Sequence, residues 1–374
     1  MLDDAFAFLC EADRLKSVHR ASVLMDLSRP ENSAEHSWHV ALWAMVMGAS
    51  DRAIAMILIH DLVEIDTGDQ PIHLDHDVEG LAIAEAAAAD RIFGLAPDGA
   101  RLAALWRDFE GRADAAAVTA KRMDHAQPIF QVLQARDPIP DHVRIVRDNL
   151  SAGRAARFER EWPQGWQAAH ALLSGQEVAQ GDLARRLAFL AEADALKGVL
   201  RANRLLDGSR RENSAEHSWH LALYALVLGG LAGPGVDPGR VIRMLLIHDL
   251  VEIDVGDVPL HSAGGQAHGS AAIQAAEEAA ARRLFGLLPD PQGQQMLALW
   301  QEFEAAASPD AVFAKALDRC QPAVQNLRSG GAGWVEYDVT LAQVESRVGP
   351  WVERGCAPLW QWLHHGLRAH FAGS

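Results

Sequence analysis

The chain has 374 residues, 50 of them acidic against 34 basic, for a formal charge of −16. That surplus repels polyanions and removes the electrostatic term of non-specific nucleic-acid binding, so no nucleic-acid polymer is expected as a partner, while a small anion met by a metal and one arginine stays compatible. Three cysteines, Cys10, Cys320 and Cys356, support neither a disulfide framework nor a cysteine metal site.

Apolar residues recur at three and four rather than at two, as in Val40, Trp43, Ala44 and Met47 after His36 and His39, which predicts helices. In chain order they fall near 3–18, 33–49, 51–65, 78–93, 98–111, 113–135, 140–150 and 154–173, with Ser33 as an N-cap and a loop around Gly68 and Pro71. The order then repeats: Phe8-Leu9 with Glu11-Ala12-Asp13 returns as Phe189-Leu190 with Glu192-Ala193-Asp194. A polar, glycine-flanked stretch separates the copies, giving expected domains 1–174 and 183–374 joined by a linker, 175–182. The second copy carries two glycine-rich expansions, Gly229 to Gly239 and Ser262 to Gly269, read as surface loops. No apolar run is long enough to span a membrane, and the acidic start Met1-Leu2-Asp3-Asp4 lacks a basic leader, so a cytoplasmic protein is expected.

The duplication is strongest where the chemistry is densest. Glu31 to His39 recurs unchanged as Glu212 to His220, and Leu58 to Asp66 as Leu246 to Asp254. A third match pairs Lys121, Asp124 and Gln127-Pro128 with Lys315, Asp318 and Gln321-Pro322. His36, His60-Asp61 and Asp124, from three helices, would offer two nitrogens and two carboxylates to a divalent cation with positions left for water and substrate. His217, His248, Asp249 and Asp318 repeat the set.

This order of residues resembles the H…HD…D signature of the HD-domain metal-dependent phosphohydrolases. The strings around Glu35-His36 and His60-Asp61, with Glu64 and Gly68-Asp69 following, resemble the 5′-deoxynucleotidase branch. The resemblance implies an all-α fold of two tandem HD-domain bundles packed as an intramolecular pseudo-dimer. It also implies one divalent metal per domain (Mn, Co, Fe, Ni or Zn) and hydrolysis of small phosphorylated substrates, 2′-deoxyribonucleoside 5′-monophosphates above all. It places the metal on the residues just given, proton transfer on Glu64 and Asp69 with Glu252 and Asp257, and phosphate contact on Arg20 and Arg201. The ring that follows this arginine in the nucleotidases is replaced by Ala21 and Ala202, so the resemblance does not carry over sugar and base selectivity.

The alternatives are a di-iron HD-type oxygenase, in which His73, His76 and His261 would add ligands, and a nucleotide sensor without turnover. A (p)ppGpp hydrolase fits less well, because Ile65 stands where that branch has a second acid. His39 and His220 are expected to brace the ligands from behind, Trp106 and Trp300 to anchor helix packing, and Asp124 competes with a reading as a partner of Lys121. Whether Glu110 and Glu304 orient a ligand or form surface pairs, and whether the chain forms a homodimer, the sequence leaves open.

Overall fold

A computed structural model describes residues 2–71, 77–258 and 270–373. In the first half the helices are α1 (Leu2–Ala12), α2 (Ser33–Val46), α3 (Asp51–Ile59), α4 (Glu64–Thr67), α5 (Val78–Phe93), α6 (Gly99–Glu110), α7 (Ala115–Leu133), α8 (Pro140–Ala152), α9 (Phe158–Glu161) and α10 (Pro163–Leu173). The second half follows the same plan with α11 (Asp182–Ala193), α12 (Ser214–Leu228), α13 (Pro238–Ile247), α14 (Glu252–Val255), α15 (Ala271–Phe285), α16 (Gln292–Ala305) and α17 (Pro309–Arg328). It closes with α18 (Ala332–Glu336), α19 (Leu341–Arg347), α20 (Gly349–Gly355) and α21 (Ala357–Ala372). The all-α expectation holds, with one small addition per half. Strands β1 (His19–Val23) and β2 (Pro30–Asn32), and likewise β3 (Leu200–Arg204) and β4 (Arg211–Asn213), form antiparallel hairpins. None of these strands shows a period-two pattern long enough to be read from sequence.

Three local features differ from the sequence reading, and each shapes the site. Asn32, not Ser33, caps α2: its side chain accepts from Ala34 N and Glu35 N at 3.1 and 3.0 Å, while Glu35 returns a bond to Asn32 N at 2.8 Å. The Ser33 hydroxyl is thereby released to donate to Glu64 at 2.5 Å. The helix expected to run to residue 65 stops at Ile59 and tightens, with Leu62 N bonding to Ile59 O and Glu64 N to Asp61 O, before α4 begins. Gly68, at φ +70°, ends α4 in a conformation that suits glycine and turns Asp69 back towards β1.

Every residue of α2 is buried, polar ones included, because one face packs on its own half and another on α12 of the other. The interface is reciprocal, as an isologous dimer contact would be. Trp38 donates its indole N–H to Leu246 O, and Trp219 to Leu58 O, both at 3.1 Å. Asn32 donates to Glu216 at 2.7 Å and Asn213 to Glu35 at 2.6 Å. The two halves thus pack as a pseudo-dimer around one apolar cluster containing residues of both. The end of the first glycine-rich expansion reaches this interface: a Cβ on Gly239 would fall 2.6 Å from Asp51 Oδ2 of the first half, and Arg243, beyond the expansion, donates to Asp51 at 2.8 Å. The second, Ser262 to Gly269, lies outside the described residues. No helix among the described residues is long and apolar enough to cross a membrane.

Trp219→Ala should remove both a fully buried ring and the hydrogen bond to Leu58 O. A loss of about 3–5 kcal/mol is expected in urea unfolding, through a single transition shared by both halves because the core is common.

Candidate metal centre

His36 projects from the first turn of α2, His60 and Asp61 from the tightened turn after α3, and Asp124 from the middle of α7. Their polar atoms converge. His36 Nε2 lies 3.2 Å from Asp124 Oδ1 and 3.9 Å from Asp61 Oδ2; His60 Nε2 lies 3.1 Å from Asp61 Oδ1 and 3.6 Å from Asp124 Oδ1. The second half repeats this within tenths of an ångström: His217 Nε2 is 3.4 and 3.9 Å from Asp318 and Asp249, and His248 Nε2 is 3.0 and 3.9 Å from Asp249 and Asp318. Successive residues project about 100° or more apart in a helix or tightened turn, yet His60 Nε2 and Asp61 Oδ1 come within 3.1 Å at the end of α3.

The donor set fits a cation. His60 Nδ1–H donates to Ile57 O at 2.7 Å, and His248 Nδ1–H to Leu245 O at 2.9 Å, which leaves each Nε2 as a lone-pair nitrogen facing the carboxylates. Both Nε2 atoms are buried without a hydrogen bond, a costly state that a metal bond would relieve. Ligand bonds of about 2.1 Å imply ligand-to-ligand separations of roughly 3–3.4 Å, close to the shorter distances found. The electrostatics agree. Burial and Arg20 oppose a charge on His36, yet the carboxylates of Asp124, Glu31 and Asp61 lift its pKa to about 9. The cluster draws in positive charge.

Around this cluster stand the other residues singled out from sequence. Arg20 on β1 places Nη1 3.0 Å from Asp61, 3.5 Å from Glu64 and 3.4 Å from Asp69; burial works against its charge, but these carboxylates hold it firmly protonated. Arg201 lies 2.7, 3.8 and 3.7 Å from Asp249, Glu252 and Asp257. Glu64 and Glu252 are pushed well above the usual carboxylate range, by burial first and then by Asp61 and Asp69, or Asp249 and Asp257, against the opposing arginine. Asp69 and Asp257 accept from the backbone N–H of Ala21 and Ala202 at 3.4 and 3.3 Å.

The Lys121–Asp124 pairing is not formed. Lys121 binds Glu110 at 2.8 Å and Lys315 binds Glu304 at 2.9 Å, each lysine lying over a phenylalanine ring, Phe109 or Phe303. Trp106 and Trp300 donate to the carbonyls of His60 and His248 at 3.2 Å, bracing the histidine turns as packing residues. His39 and His220 do not touch the ligand imidazoles. Gln127 links the two layers, its Oε1 accepting from His36 Nδ1–H at 3.0 Å and its Nε2 donating to His39 Nδ1 at 3.1 Å. Gln127, Glu31 and Lys197 were not singled out as site residues, although each recurs in the duplicated pattern, as Gln321, Glu212 and Lys16. His73, His76 and His261 lie outside the described residues.

Over the second cluster opens a cavity of about 300 Å³ with Arg201, Asp249, Glu252 and Asp318 in its lining. Trp334, Tyr337 and Trp351, from α18, the residue after it and α20, supply aromatic wall that Ala202 does not. Arg319 stands here where the first half has His125.

A family model described as "HD domain" matches residues 12–166 and again 193–360. Curated relatives include the human 5'-deoxynucleotidase HDDC2, 29% identical over 141 residues, which are 37% of this chain and 65% of that protein. The bovine protein of the same name is 30% identical over the same shares. The chain thus spans just under two thirds of the length of these relatives. A solved structure, a predicted metal-dependent phosphohydrolase from Magnetospirillum magnetotacticum MS-1, is 43% identical, covering 51% of this chain and 96% of that one with a TM-score of 0.47.

Stripping divalent ions with a chelator should lower the thermal midpoint, and Mn²⁺ added back should restore it in a concentration-dependent way. At a hundred times the dissociation constant the gain is about 2.7 kcal/mol per site, measurable by differential scanning fluorimetry; a midpoint indifferent to metal would remove the cation from both clusters.

Proposed function

The chain belongs to the HD-domain family, and from that premise we propose that each half is a metal-dependent phosphohydrolase releasing phosphate from 2′-deoxyribonucleoside 5′-monophosphates. The observation that carries this reading is the twice-built group of two imidazole nitrogens and one aspartate, with a second aspartate within 3.9 Å of both imidazoles and one buried nitrogen lacking any hydrogen bond. The substrate class is supported by the 5'-deoxynucleotidase relatives. In the first half His36, His60, Asp61 and Asp124 hold the cation; in the second, His217, His248, Asp249 and Asp318. Mn²⁺, Co²⁺, Fe²⁺, Ni²⁺ and Zn²⁺ all suit such a set. When bound, the ion supplies Lewis acidity that polarises a phosphoryl oxygen and acidifies water.

The remaining work falls to the chain's own side chains. Arg20, kept charged by the carboxylates around it, compensates the non-bridging phosphoryl oxygens, and so does Arg201. As a water oxygen bonds to phosphorus and the bond to the 5′-oxygen breaks, Glu64 with Asp69 passes protons towards that leaving oxygen. Burial and the charges of Asp61 and Asp69 raise the pKa of Glu64, which favours a proton on it, and the Ser33 hydroxyl donates to its Oε2. Glu252 and Asp257 take these parts in the second half. No covalent nucleophile is required, because positioning and charge compensation carry phosphoryl transfer.

A phosphate-release screen over ribo- and deoxynucleoside monophosphates with several divalent ions tests the substrate class; equal turnover of the ribonucleotides would overturn the preference. Asp61→Ala should halve the metal bound per chain, whereas Glu64→Ala with Glu252→Ala should keep the metal and slow release by about 10²–10⁴-fold. A metal-free acid double variant would contradict this division of labour.

A further inference from the structure

We infer that each metal centre is completed by a lysine from the opposite half: Lys197 positions the ligand His36, and Lys16 positions His217. This rests on the metal-centre reading above and goes beyond it, since neither lysine approaches the ligands of its own half.

Lys197 follows α11, in the second half, and its ammonium is wholly buried in the first. It donates to Glu31 Oε1 at 2.7 Å, to His39 Nδ1 and Gln131 Oε1 at 3.1 Å, and to Asp194 of its own half. Three of those acceptors, Glu31 Oε1, His39 Nδ1 and Gln131 Oε1, are also the ones that receive the Gln127 amide. The other end of that amide, Oε1, accepts from His36 Nδ1–H. An amide turned around would present N–H groups to His36 and carbonyl oxygen to three acceptors, so the arrangement that Lys197 anchors decides which imidazole nitrogen faces the carboxylates. Glu31 extends the effect: with Oε1 held by Lys197, its Oε2 lies 3.6 Å from His36 Nδ1 and 3.9 Å from Arg20 Nε. The carboxylate that this ammonium holds thus faces both His36 and Arg20 as a charge, beyond hydrogen-bonding distance of either.

The second half keeps the lysine, glutamate and glutamine of this arrangement but reverses one amide: where Gln131 accepts from the lysine, Gln325 donates to Glu212 at 2.8 Å and accepts from Asn203 at 3.1 Å. Lys16 donates to Glu212 Oε1 at 2.7 Å, to His220 Nδ1 at 3.0 Å and to Asp13. Gln321 accepts from His217 Nδ1–H at 3.1 Å and donates to Glu212 at 3.3 Å. Each lysine is locked from across the interface. Arg29 grips Lys197 O at 2.8 Å and Arg210 grips Lys16 O at 2.7 Å; Met25 N donates to Asp194 and Leu206 N to Asp13 at 2.9 and 3.0 Å. His39 Nε2–H donates to Leu190 O and His220 Nε2–H to Leu9 O, at 3.0 and 2.9 Å, which makes each Nδ1 the acceptor that a lysine needs. Burial and the neighbouring ammonium hold both histidines well below their ordinary pKa, so they remain neutral acceptors. Two such clusters each hold one histidine and two carboxylates, the makings of a further metal site, but the lysine ammonium already sits among the ligand atoms.

The test uses full-length chains with one working centre each, Asp249→Asn leaving the first and Asp61→Asn leaving the second. Mn²⁺ affinity is measured by titration calorimetry and phosphate release is followed in parallel. In the chain with only the first centre, Lys197→Met should weaken Mn²⁺ by about 10–100-fold, as loss of a ligand's supporting partner does, while Lys16→Met changes it by less than about three-fold. In the chain with only the second centre the two lysines should exchange effects. A loss of the shared fold cannot give this crossed pattern, because one core serves both halves and its loss would lower both centres together. If Lys197→Met does not fold, Lys197→Met with Asp194→Asn removes one charge of each sign from the interior and should give the same selective loss. Effects confined to the lysine's own half, equal losses at both centres, or none at either would overturn the inference while the metal-centre reading stands. No Mn²⁺ binding by the unsubstituted chain would overturn both.

Discussion

Charge taken out of water must be met by charge or by a full set of hydrogen bonds, and this chain places an unusual amount of it in its interior. Lys16, Lys197, Glu31, Glu212, Glu35 and Glu216 are all fully buried. Their partners come largely from the opposite half: Glu31 from Lys197, Glu212 from Lys16, Glu35 from Asn213 and Glu216 from Asn32. Separating the halves would part Glu31 and Glu212 from their lysines, while Glu35 and Glu216 would keep Arg29 and Arg210 of their own halves, so the interface answers chiefly for the first pair. The hydrogen-bonded geometry of the histidines inherits its precision from this requirement.

That requirement also explains why the chemistry can be built on short, irregular elements. Arg20 sits on a five-residue strand, Asp61 in a tightened turn and Asp69 after a four-residue helix, none of which would hold a side chain on its own. They are held because α2 beneath them is buried on every face, with Asn32, Ser33 and His36 all bonded outward to different elements. The two centres are alike in this framework and differ above it. The second has an aromatic wall from the C-terminal helices and an arginine beside Asp318, where the first has His125 beside Asp124.

Much was legible before any coordinates. Helical class followed from three-and-four periodicity, and the candidate ligands from motifs repeated in one order, because local composition and duplication are properties of the string itself. The same string also contained Lys16 and Lys197, Gln127 and Gln321, Glu31 and Glu212 at matching places, yet their part was not visible. A buried lysine and an exposed one are written with the same letter, and nothing local to Lys197 says that its partners lie more than 150 positions away in the chain.

The sequence by itself determined that the chain is a duplicated helical protein with two histidine and aspartate sets in the order of one family, since periodicity and motif order need no third dimension. Only the tertiary structure decided that Asn32 rather than Ser33 caps α2, that α3 stops at Ile59 and His60 and Asp61 meet His36 and Asp124, and that each half lends the other its buried cation. Those outcomes depend on which faces meet and on where desolvated charge finds a partner, and distance in space is what a sequence leaves unwritten.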